Sequence, residues 1–487
     1  MIARTLAASP IGLVTFAIAL TLTAAALRTG LVADDAVTLW AGAIGAGGGT
    51  VPLGRIIASY PTLPFIATTL LEFVTPKGTP APALFAAGML GMLAFVWSLA
   101  FRKAGFSPLL AAGAALMIAL HPAMLSACLA GAADICLVVF LYLFGNALFD
   151  LRARSAAPQV MTAGLALLGL AFSHPVGAAI DIAVVPLFLF AVSPSVLAHS
   201  TLNVVLALVF PTVFAVGAFA YVSWVFPGAG WSFLADPAES LAAWGADAAR
   251  ILPVGSLTLN AMLAMAVALP LGAPVAPVVL GWIKERRPLS IPPLVFAGAV
   301  VATAGIAALT GWFGNPSSLA AAVPVLAAVT VARVPLTRDR RHTAVALLVA
   351  GWFGGLLSVA IIEPRAAVRL GAALDGVKAE QAQLDALALG GATATRDGVL
   401  IDTDNAPAVV LGRGNAHGLV SSSDEGFALA LLLGRLDSPF VAVPDPHSAA
   451  GIRDRLNKTF PRLYRDGAPG YRLAYENKTW RLYARQP

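Results

Sequence analysis

Long apolar runs, separated by short polar loops, follow one another through residues 1–362. Because a transmembrane helix needs about 20 mostly apolar residues, each run is a candidate membrane span. The pattern predicts roughly eleven spans, at residues 11–32, 81–101, 107–126, 132–149, 157–174, 178–196, 202–225, 257–282, 291–312, 317–334 and 342–362. Residues 1–362 are therefore predicted to form a mainly α, polytopic membrane domain.

The pattern changes after residue 362. A helical stretch extends as far as Leu389, the segments GVLIDTDN and PFVAVPDP have the composition of strands that end in acidic turns, and helical segments lie at 425–435 and 446–458. YRLAYE and TWRLYA suit a closing hairpin. Residues 363–487 are thus predicted to form a small α/β domain. Asp402, Asp404 and Asp445 follow the strands, where ligands often bind in α/β sheets, although turn formation and helix capping are the favoured explanation.

Composition supports this division. The 487 residues are 59% hydrophobic and only 11% charged, which excludes an ordinary soluble globular protein. The formal charge of +6 does not indicate nucleic-acid binding, because the basic residues form no long patch and sit mostly in short loops. Cys128 and Cys136 have no metal-ligand spacing and are expected to be buried apolar groups.

The loop charges predict an orientation. Cytoplasmic loops collect Lys and Arg. If Arg4 lies in the cytoplasm, every second loop lies on the same side as Arg4. Those loops carry Arg102, Lys103, Arg152, Arg154, Lys284, Arg286, Arg287, Arg333, Arg338, Arg340 and Arg341. Arg28, Arg55, Lys77 and Arg250 lie at or near the other face. An odd number of spans then places the C-terminal domain outside the cytoplasm.

Two external loops are predicted, at about residues 33–80 and 226–256. The first contains YPTLPFIATTLLEFV (60–74), which is apolar but short and includes two prolines and Glu72. We expect this segment to be a helix along the outer interface rather than a span. The second loop mixes Trp231, Phe233 and Trp244 with charged residues, which favours an interfacial anchor over a lid for a lipid-linked substrate.

Ionisable residues gather at the predicted outer face. Asp34 and Asp35 follow the first span, and His121, Asp134, His174 and Asp181 lie at or near outer span ends. Such groups are costly at membrane depth and tend to line cavities. Most have a structural alternative: a His-Pro pair often marks a helix terminus, and Asp134 suits an N-cap. Asp181 lies inside an apolar stretch and has no such alternative. No GxxxxGK[ST], GxGxxG or HExxH motif is present.

The order of these features resembles a known family. It is similar to that of the GT-C glycosyltransferases of bacterial envelopes, in particular the ArnT/PMT-like and RgtA-type group. The similarity lies in three features: a first span that ends in an acidic pair (ADDAVTLWAGA), a proline-containing interfacial segment (YPTLPFIATTLL) and a span that closes on Arg102-Lys103. Residues 101–151 look like the next three spans of that family, and FPRLYRDGAPGYRLAYENKTWRLY looks like the closing strands of its external domains. Tyr60 stands where the family often has a basic residue before the prolines.

The resemblance implies a specific activity. Members transfer a sugar from a polyprenyl-phosphate donor to a lipid or glycan acceptor at the outer face of the bacterial cytoplasmic membrane. An acid of the first external loop acts as general base, and here that role falls on Asp34 or Asp35. Arg55 and Arg250, with Lys77 behind them, would bind the donor phosphate, and His121, Asp134, His174 and Asp181 would line the cavity. No metal ligand is assigned, and dependence on a divalent cation is left open.

A second interpretation is also retained. The protein could instead be a binding subunit of an envelope complex without catalytic activity, or a lipid or glycan transporter. A transporter is expected to have internal repeats and polar groups near the bilayer midplane. The sequence has no clear repeat, and its polar groups collect at one face, which favours the enzyme.

Overall fold

A computed structural model of the protein describes residues 9–29, 32–48, 56, 59–76, 78–154, 156–225, 256–282, 287–310, 316–362, 369–372, 375 and 381–486. Up to residue 362 these residues are mostly helical. The helices are α1 (Ser9–Thr29), α2 (Asp34–Gly47), α3 (Thr62–Val74), α4 (Ala81–Lys103), α5 (Pro108–Ala119), α6 (Pro122–Ala130), α7 (Ala132–Arg154), α8 (Ala157–Ser173), α9 (Pro175–Ala191), α10 (Pro194–Val225), α11 (Leu257–Gly272), α12 (Val275–Trp282), α13 (Ile291–Thr310), α14 (Ala322–Arg333) and α15 (Arg338–Ile362). Short 3₁₀ segments, Arg287–Ser290 and Pro316–Ala321, precede α13 and α14.

The number of helices that can cross a membrane is smaller than predicted. Among the described residues, six are long and apolar enough, and the count rises to eight if the bent pairs α5–α6 and α11–α12 each form one span. The other three predicted spans correspond to shorter apolar helices, α8, α9 and Ser318–Arg333. The polytopic helical architecture is therefore present, whereas the count of eleven and the orientation in the membrane stay predictions.

The outer surfaces of the long helices are apolar, as a surrounding lipid phase requires. On α10, Leu202, Phe210, Phe214 and Trp224 are all exposed, although a soluble protein would bury residues of this kind. Several apolar helices of spanning length with such surfaces indicate a membrane protein.

Glycines allow the helices to approach one another closely. The backbones of α1 and α4 touch at Gly12 and Gly91, where an added Cβ atom would lie 2.9 and 2.7 Å from the opposite glycine oxygen. Gly351, Gly354 and Gly355 of α15 similarly pack against the bend between α11 and α12 and against the ring of His121. Small residues at such crossings are typical of membrane helix packing.

The contacts divide the chain into two units. The first comprises Met1–Thr23, Ile57–Pro64 and Phe85–Gly371, and the second comprises Ala24–Ile56, Phe65–Leu84 and Ala372–Pro487. Most of the predicted first external loop, including α2, therefore packs in the same unit as the C-terminal residues. The predicted boundary at residue 362 takes no account of this grouping.

The second unit contains a five-stranded sheet of order β2-β1-β3-β5-β4. Its strands are β1 (Val399–Leu400), β2 (Leu419–Val420), β3 (Phe440–Pro444), β4 (Tyr471–Glu476) and β5 (Trp480–Arg485), and its helices are α16 (Gln381–Thr393), α17 (Pro407–Arg413), α18 (Glu425–Leu433), α19 (Ala449–Arg453), α20 (Arg455–Thr459) and α21 (Leu463–Asp466). β1 pairs in parallel with β2 and β3, while β5 is antiparallel to β3 and β4. The predicted α/β fold and closing hairpin are thus present.

Helices cover both faces of this sheet. Alternate residues of β1 point to opposite sides: Val399 joins a cluster with α2, α16 and α17, whereas Leu400 joins one with Phe427 and Leu456. α2 contributes Val37, Trp40, Ala41 and Ile44 to the first cluster. The helix that begins with Asp34 is consequently part of the core of the second unit.

Candidate functional site

Asp34 and Asp35 form the first turn of α2, a few residues after α1 ends at Thr29. The N-cap residue Ala33 is extended and supplies no side-chain cap, and both carboxyl groups are exposed. Acidic side chains at a helix start interact favourably with the helix dipole. This position explains the pair structurally and also leaves the carboxylates accessible to a ligand.

The two acids lie on different sides of α2. Helical residues three or seven positions apart share a face, so Asp34 lies on the side of Val37 and Ala41, which are buried against the sheet. Asp35 lies one position round the helix, on the side of the exposed Thr38 and the half-buried Gly42. The sequence left the choice between the acids open, and the packing of α2 distinguishes them.

An apolar cavity of about 100 Å³ opens one helical turn from Asp34. Its walls come from the end of α1, from α2, and from helices α16 and α17: Leu27, Val32, Val37, Trp40, Gln383, Leu387, Ala408 and Leu411. The Gln383 amide nitrogen donates to the Val32 carbonyl at 3.0 Å, while its Oε1 atom is buried and has no hydrogen-bond partner. Because its lining is mostly apolar, the cavity can accept an apolar group.

The predicted phosphate-binding residues Arg55, Lys77 and Arg250 lie outside the described residues. Arg28 does lie in the described part of this unit, exposed in the last turn of α1, where a cation also complements the helix dipole. Its nearness in sequence to Asp34 was the signal that could have added it to the candidates for phosphate binding.

The predicted cavity-lining residues belong to the first unit, and the two histidines begin helices. His121 Nδ1 accepts the Ala123 N–H at 3.2 Å, and His174 Nδ1 accepts the Val176 N–H at 3.1 Å. The structural alternative for the His-Pro pairs is therefore present at both sites. His174 Nε2 also lies 3.2 Å from the Ser318 hydroxyl, whereas His121 Nε2 is buried without a partner.

The other two predicted cavity residues are buried acids. Asp134 lies in the first turn of α7, which favours a negative charge. Asp181 lies in the second turn of α9, and neither of its carboxyl oxygens has a hydrogen-bond partner. The nearby Tyr60 uses its hydroxyl group to donate to the Ala171 carbonyl at 2.7 Å. Of the four, Asp181 is the residue that capping does not explain.

A group of polar side chains between α2 and α3 was not predicted. The Thr68 and Thr69 hydroxyls are buried and have no hydrogen-bond partner, whereas the Trp40 indole and the Glu72 carboxyl group interact with each other. Glu72 packs against Gly47 and lies beside Trp40. Burial raises the pKa of Glu72, and the Trp40 indole offsets part of that rise. Because an unsatisfied buried polar group costs about 1–3 kcal/mol, the two threonine hydroxyls call for an explanation.

The acids that follow the strands are engaged in structural contacts. Asp402 is buried and accepts hydrogen bonds from the Arg455 side chain and backbone and from Asn405. Burial alone would raise the pKa of Asp402, but these hydrogen bonds bring it below its ordinary value. Asp404 pairs with the same guanidinium group at 2.7 Å, and Asp445 accepts the His447 N–H at 2.9 Å.

No group of three or more His, Cys, Asp or Glu side chains suited to a metal ion occurs within the described part of the chain. Comparison with models of known protein families finds no match, and comparison with curated protein sequences finds none either. The functional argument therefore depends on the residues themselves.

Proposed function

We propose that the protein is a membrane glycosyltransferase of the GT-C type, which transfers a sugar from a polyprenyl-phosphate donor to a lipid or envelope glycan acceptor at the outer face of the bacterial cytoplasmic membrane. The observation that carries this proposal is the placement of Asp34. An accessible carboxylate begins α2 directly after an apolar helix of spanning length, one turn from an apolar cavity. A lipid-linked substrate needs both a reactive polar site and an adjoining apolar one.

Asp34 is the base in this proposal. Its carboxylate accepts the proton of the acceptor hydroxyl while that oxygen forms a bond to the anomeric carbon of the donor sugar. The bond between the anomeric carbon and the phosphate oxygen breaks, and the polyprenyl phosphate leaves with the electron pair. A cation must stabilise the charge on the leaving phosphate. Arg28 is the candidate that the structure describes, with Arg55, Lys77 and Arg250 as the sequence-based candidates.

The cavity accounts for the choice of Asp34 over Asp35. Val37 and Trp40 line it, and Val37 lies three residues after Asp34 on the same side of α2. An apolar segment of a lipid substrate held there would leave the polar end of the substrate next to Asp34. Asp35 lies on another side of the helix and serves as a matched control.

The test compares Asp34→Asn with Asp35→Asn. Membranes that contain each variant are incubated with polyprenyl-phosphoryl sugars that carry a radiolabel, and label transferred to membrane lipid or glycan is counted. We expect Asp34→Asn to lower transfer by about 100-fold or more, as loss of a general base does, and Asp35→Asn to have a much smaller effect. Both variants are checked for insertion. Unchanged transfer in both variants would exclude the proposed base, and a larger loss for Asp35→Asn would reassign it.

A second candidate function is supported by the first unit. Helices α5–α6 and α11–α12 are bent by 52° and 74°, and both bends meet the glycine-rich side of α15. Broken helices of this kind form the substrate sites of many transporters. A lipid or glycan transporter would move a labelled lipid-linked sugar across vesicles that contain the purified protein, and this movement would persist in Asp34→Asn. The glycosyltransferase proposal requires transfer that Asp34→Asn abolishes.

A further inference from the structure

Helix α18 carries apolar side chains on the side that faces away from the sheet. Its inner residues, Phe427 and Ala430, are buried in the cluster on the sheet face opposite α2. On its outer side, Leu429 is 51%, Leu432 is 81% and Leu433 is 61% exposed. A helix that faces water normally has polar or charged residues on that side, so three exposed leucines indicate a surface that a binding partner covers.

The exposed side is a narrow strip with a charge at each end. Its successive positions, Glu425, Leu429 and Leu432, have the four- and three-residue spacing that places side chains in one line along a helix. Gly434 ends the helix in a left-handed conformation. Arg435 follows, and its backbone N–H donates to a carbonyl of the last helical turn at 3.3 Å. The strip thus begins with an acid and ends beside a base.

Neither of these charges is used within the chain. Among the described residues, the Glu425 carboxyl group and the Arg435 guanidinium group take part in no hydrogen bond or ion pair, and both residues are exposed. The neighbouring acids do have partners. Asp424 accepts a backbone N–H, and Asp437 has the Arg485 guanidinium group beside it, which donates to its backbone carbonyl at 3.0 Å.

The charges restrict what can cover the strip. A membrane surface is disfavoured, because interfacial helices flank their apolar side with Lys and Arg, whereas α18 begins with an acid. A second copy of the same helix fits. In a pair of antiparallel helices related by a twofold axis, residue i of one copy contacts residue j of the other, and the reverse. With the axis between Leu429 and Leu432, each of these leucines meets the other in the second copy, and Glu425 lies next to Arg435 of the second copy.

We propose that α18 packs against α18 of a second copy of this chain, with Leu429 against Leu432 and Glu425 paired with Arg435. The inference does not depend on the proposed function. A nine-residue helix offers less area than the ~800 Å² per partner that a standard stable interface buries. The contact is therefore weak between soluble molecules, and it forms because both copies lie in one membrane, which raises their effective concentration.

Energy transfer between two labelled copies measures this association. The full-length protein, with a donor or an acceptor dye on a C-terminal tag, is reconstituted in phosphatidylcholine vesicles over a series of lipid-to-protein ratios. We expect energy transfer above that of randomly distributed molecules, and Leu432→Gln should weaken association by about tenfold or more, as loss of a central interface residue does. Ile452→Gln is the matched control, because Ile452 is also exposed but lies on α19. Random energy transfer at every ratio would overturn the proposal.

Exchange of the two charges tests the antiparallel register. Glu425→Arg and Arg435→Glu each bring like charges together at both ends of the strip, and each should weaken association by about tenfold. The double variant restores opposite charges at both ends and should recover most of the association. Hydrogen exchange in peptides from 421–437 checks that α18 itself is unchanged. A double variant that associates no better than the single variants would overturn the proposed pairing.

Disulfide crosslinking locates the contact in cell membranes. Cys128 and Cys136 are both buried, so introduced cysteines are the accessible ones. Copies with Leu429→Cys mixed with copies with Leu432→Cys should crosslink faster than either variant alone, because the two positions lie opposite each other. Ile452→Cys should crosslink only by random collision, and equal crosslinking at that position would overturn the contact. Dimers that form in cell membranes but not in vesicles of purified protein would show that another protein covers α18, and would also overturn the proposal.

Discussion

The edge of the sheet at Asp402 and the start of α2 at Asp34 both present acids where ligands often bind, yet they differ in what surrounds those acids. At the sheet edge, the acids already have protein partners: Arg455 pairs with both Asp402 and Asp404, and Asn405 donates to Asp402. At α2, Asp34 is exposed, and on α3 the buried Thr68 and Thr69 hydroxyls lack hydrogen-bond partners.

This difference separates polar groups that stabilise the fold from those that remain available to a ligand. Hydrogen-bonded buried groups contribute to stability, whereas an unsatisfied buried group costs stability until a ligand supplies its partner. Substitutions at the sheet edge should therefore act on folding, and substitutions along α2 and α3 should act on binding and transfer. The predictions below test that separation.

The largest effect on stability is expected for Arg455→Met. Asp402 would remain buried without its guanidinium partner, and loss of one partner from such a pair is strongly destabilising. We expect the free energy of unfolding to fall by about 3 kcal/mol. This is towards the low end for a buried pair, because the Arg455 side chain is 38% exposed. Hydrogen exchange of the full-length protein, followed by mass spectrometry on peptides from 399–463, measures the change.

Arg465→Met is the matched control for this prediction. Arg465 also pairs with an aspartate, Asp466, but that pair lies at the surface. Exchange in Arg465→Met should be close to that of the wild type. If Arg455→Met left exchange unchanged but abolished transfer, the sheet edge rather than α2 would be the functional site.

A second effect on stability is expected from pH, through Asp454. Burial raises the pKa of Asp454 to about 7, and the charge of Asp402 adds to the rise. The folded state binds the Asp454 proton more tightly than the unfolded state does. Protonation of Asp454 therefore stabilises the fold, and this stabilisation is fully present below the unfolded pKa of 3.8 and is lost as the pH rises towards 7. Asp402 has a lowered pKa, so its own titration changes stability only at pH values below this range.

The free energy of unfolding is therefore expected to fall as the pH rises across that range. It is measured by hydrogen exchange in peptides that contain α19 and α20, corrected for the intrinsic effect of pH on exchange. Asp454→Asn is the control, because an asparagine can still cap α20 but does not titrate. The same pH dependence in Asp454→Asn would show that another group is responsible.

The sequence predicts most of the elements but little of how they pack. Apolar runs and strand composition predicted the spanning helices, β1, β3 and the closing hairpin, because each signal is local. β2 was missed, since two residues, Leu419 and Val420, leave no periodic pattern. The helix break at His121 coincides with the terminus that the His-Pro pair indicated, whereas the break at Gly272, next to Pro274, was not predicted.

The candidate site was predictable only in part. The position of Asp34 and Asp35 after an apolar run was evident, but the grouping of α2 with the C-terminal unit was not, because it joins residues more than 300 positions apart. Gln383 and Trp40 carry no sequence signal that distinguishes them from other core residues. Glu72 did carry one, as an acid in an apolar helix, and only the structure shows it beside Trp40.

The smallest expected effect on stability, and the most direct test of the comparison, uses two hydroxyls of the second unit. Ser448 Oγ accepts the Gly451 N–H at 3.0 Å and donates to the Asp445 carbonyl at 2.7 Å. Thr68 Oγ1 is buried and has no hydrogen-bond partner. We expect Ser448→Ala to lower the free energy of unfolding by about 1 kcal/mol, as loss of an N-cap does. We expect Thr68→Val to be neutral or slightly stabilising, because it replaces an unsatisfied hydroxyl with a methyl group of similar size.

Hydrogen exchange of peptides that cover 62–76 and 445–459 in the ligand-free protein reports both changes. If Thr68→Val were as destabilising as Ser448→Ala, the Thr68 hydroxyl would have a structural partner and the separation between the two regions would fail. If Thr68→Val were neutral for stability yet lowered transfer, a group that contributes nothing to the fold would be required for function. That combination is the signature of a side chain whose partner is the substrate, and no hydrogen-bonded group at the sheet edge should reproduce it.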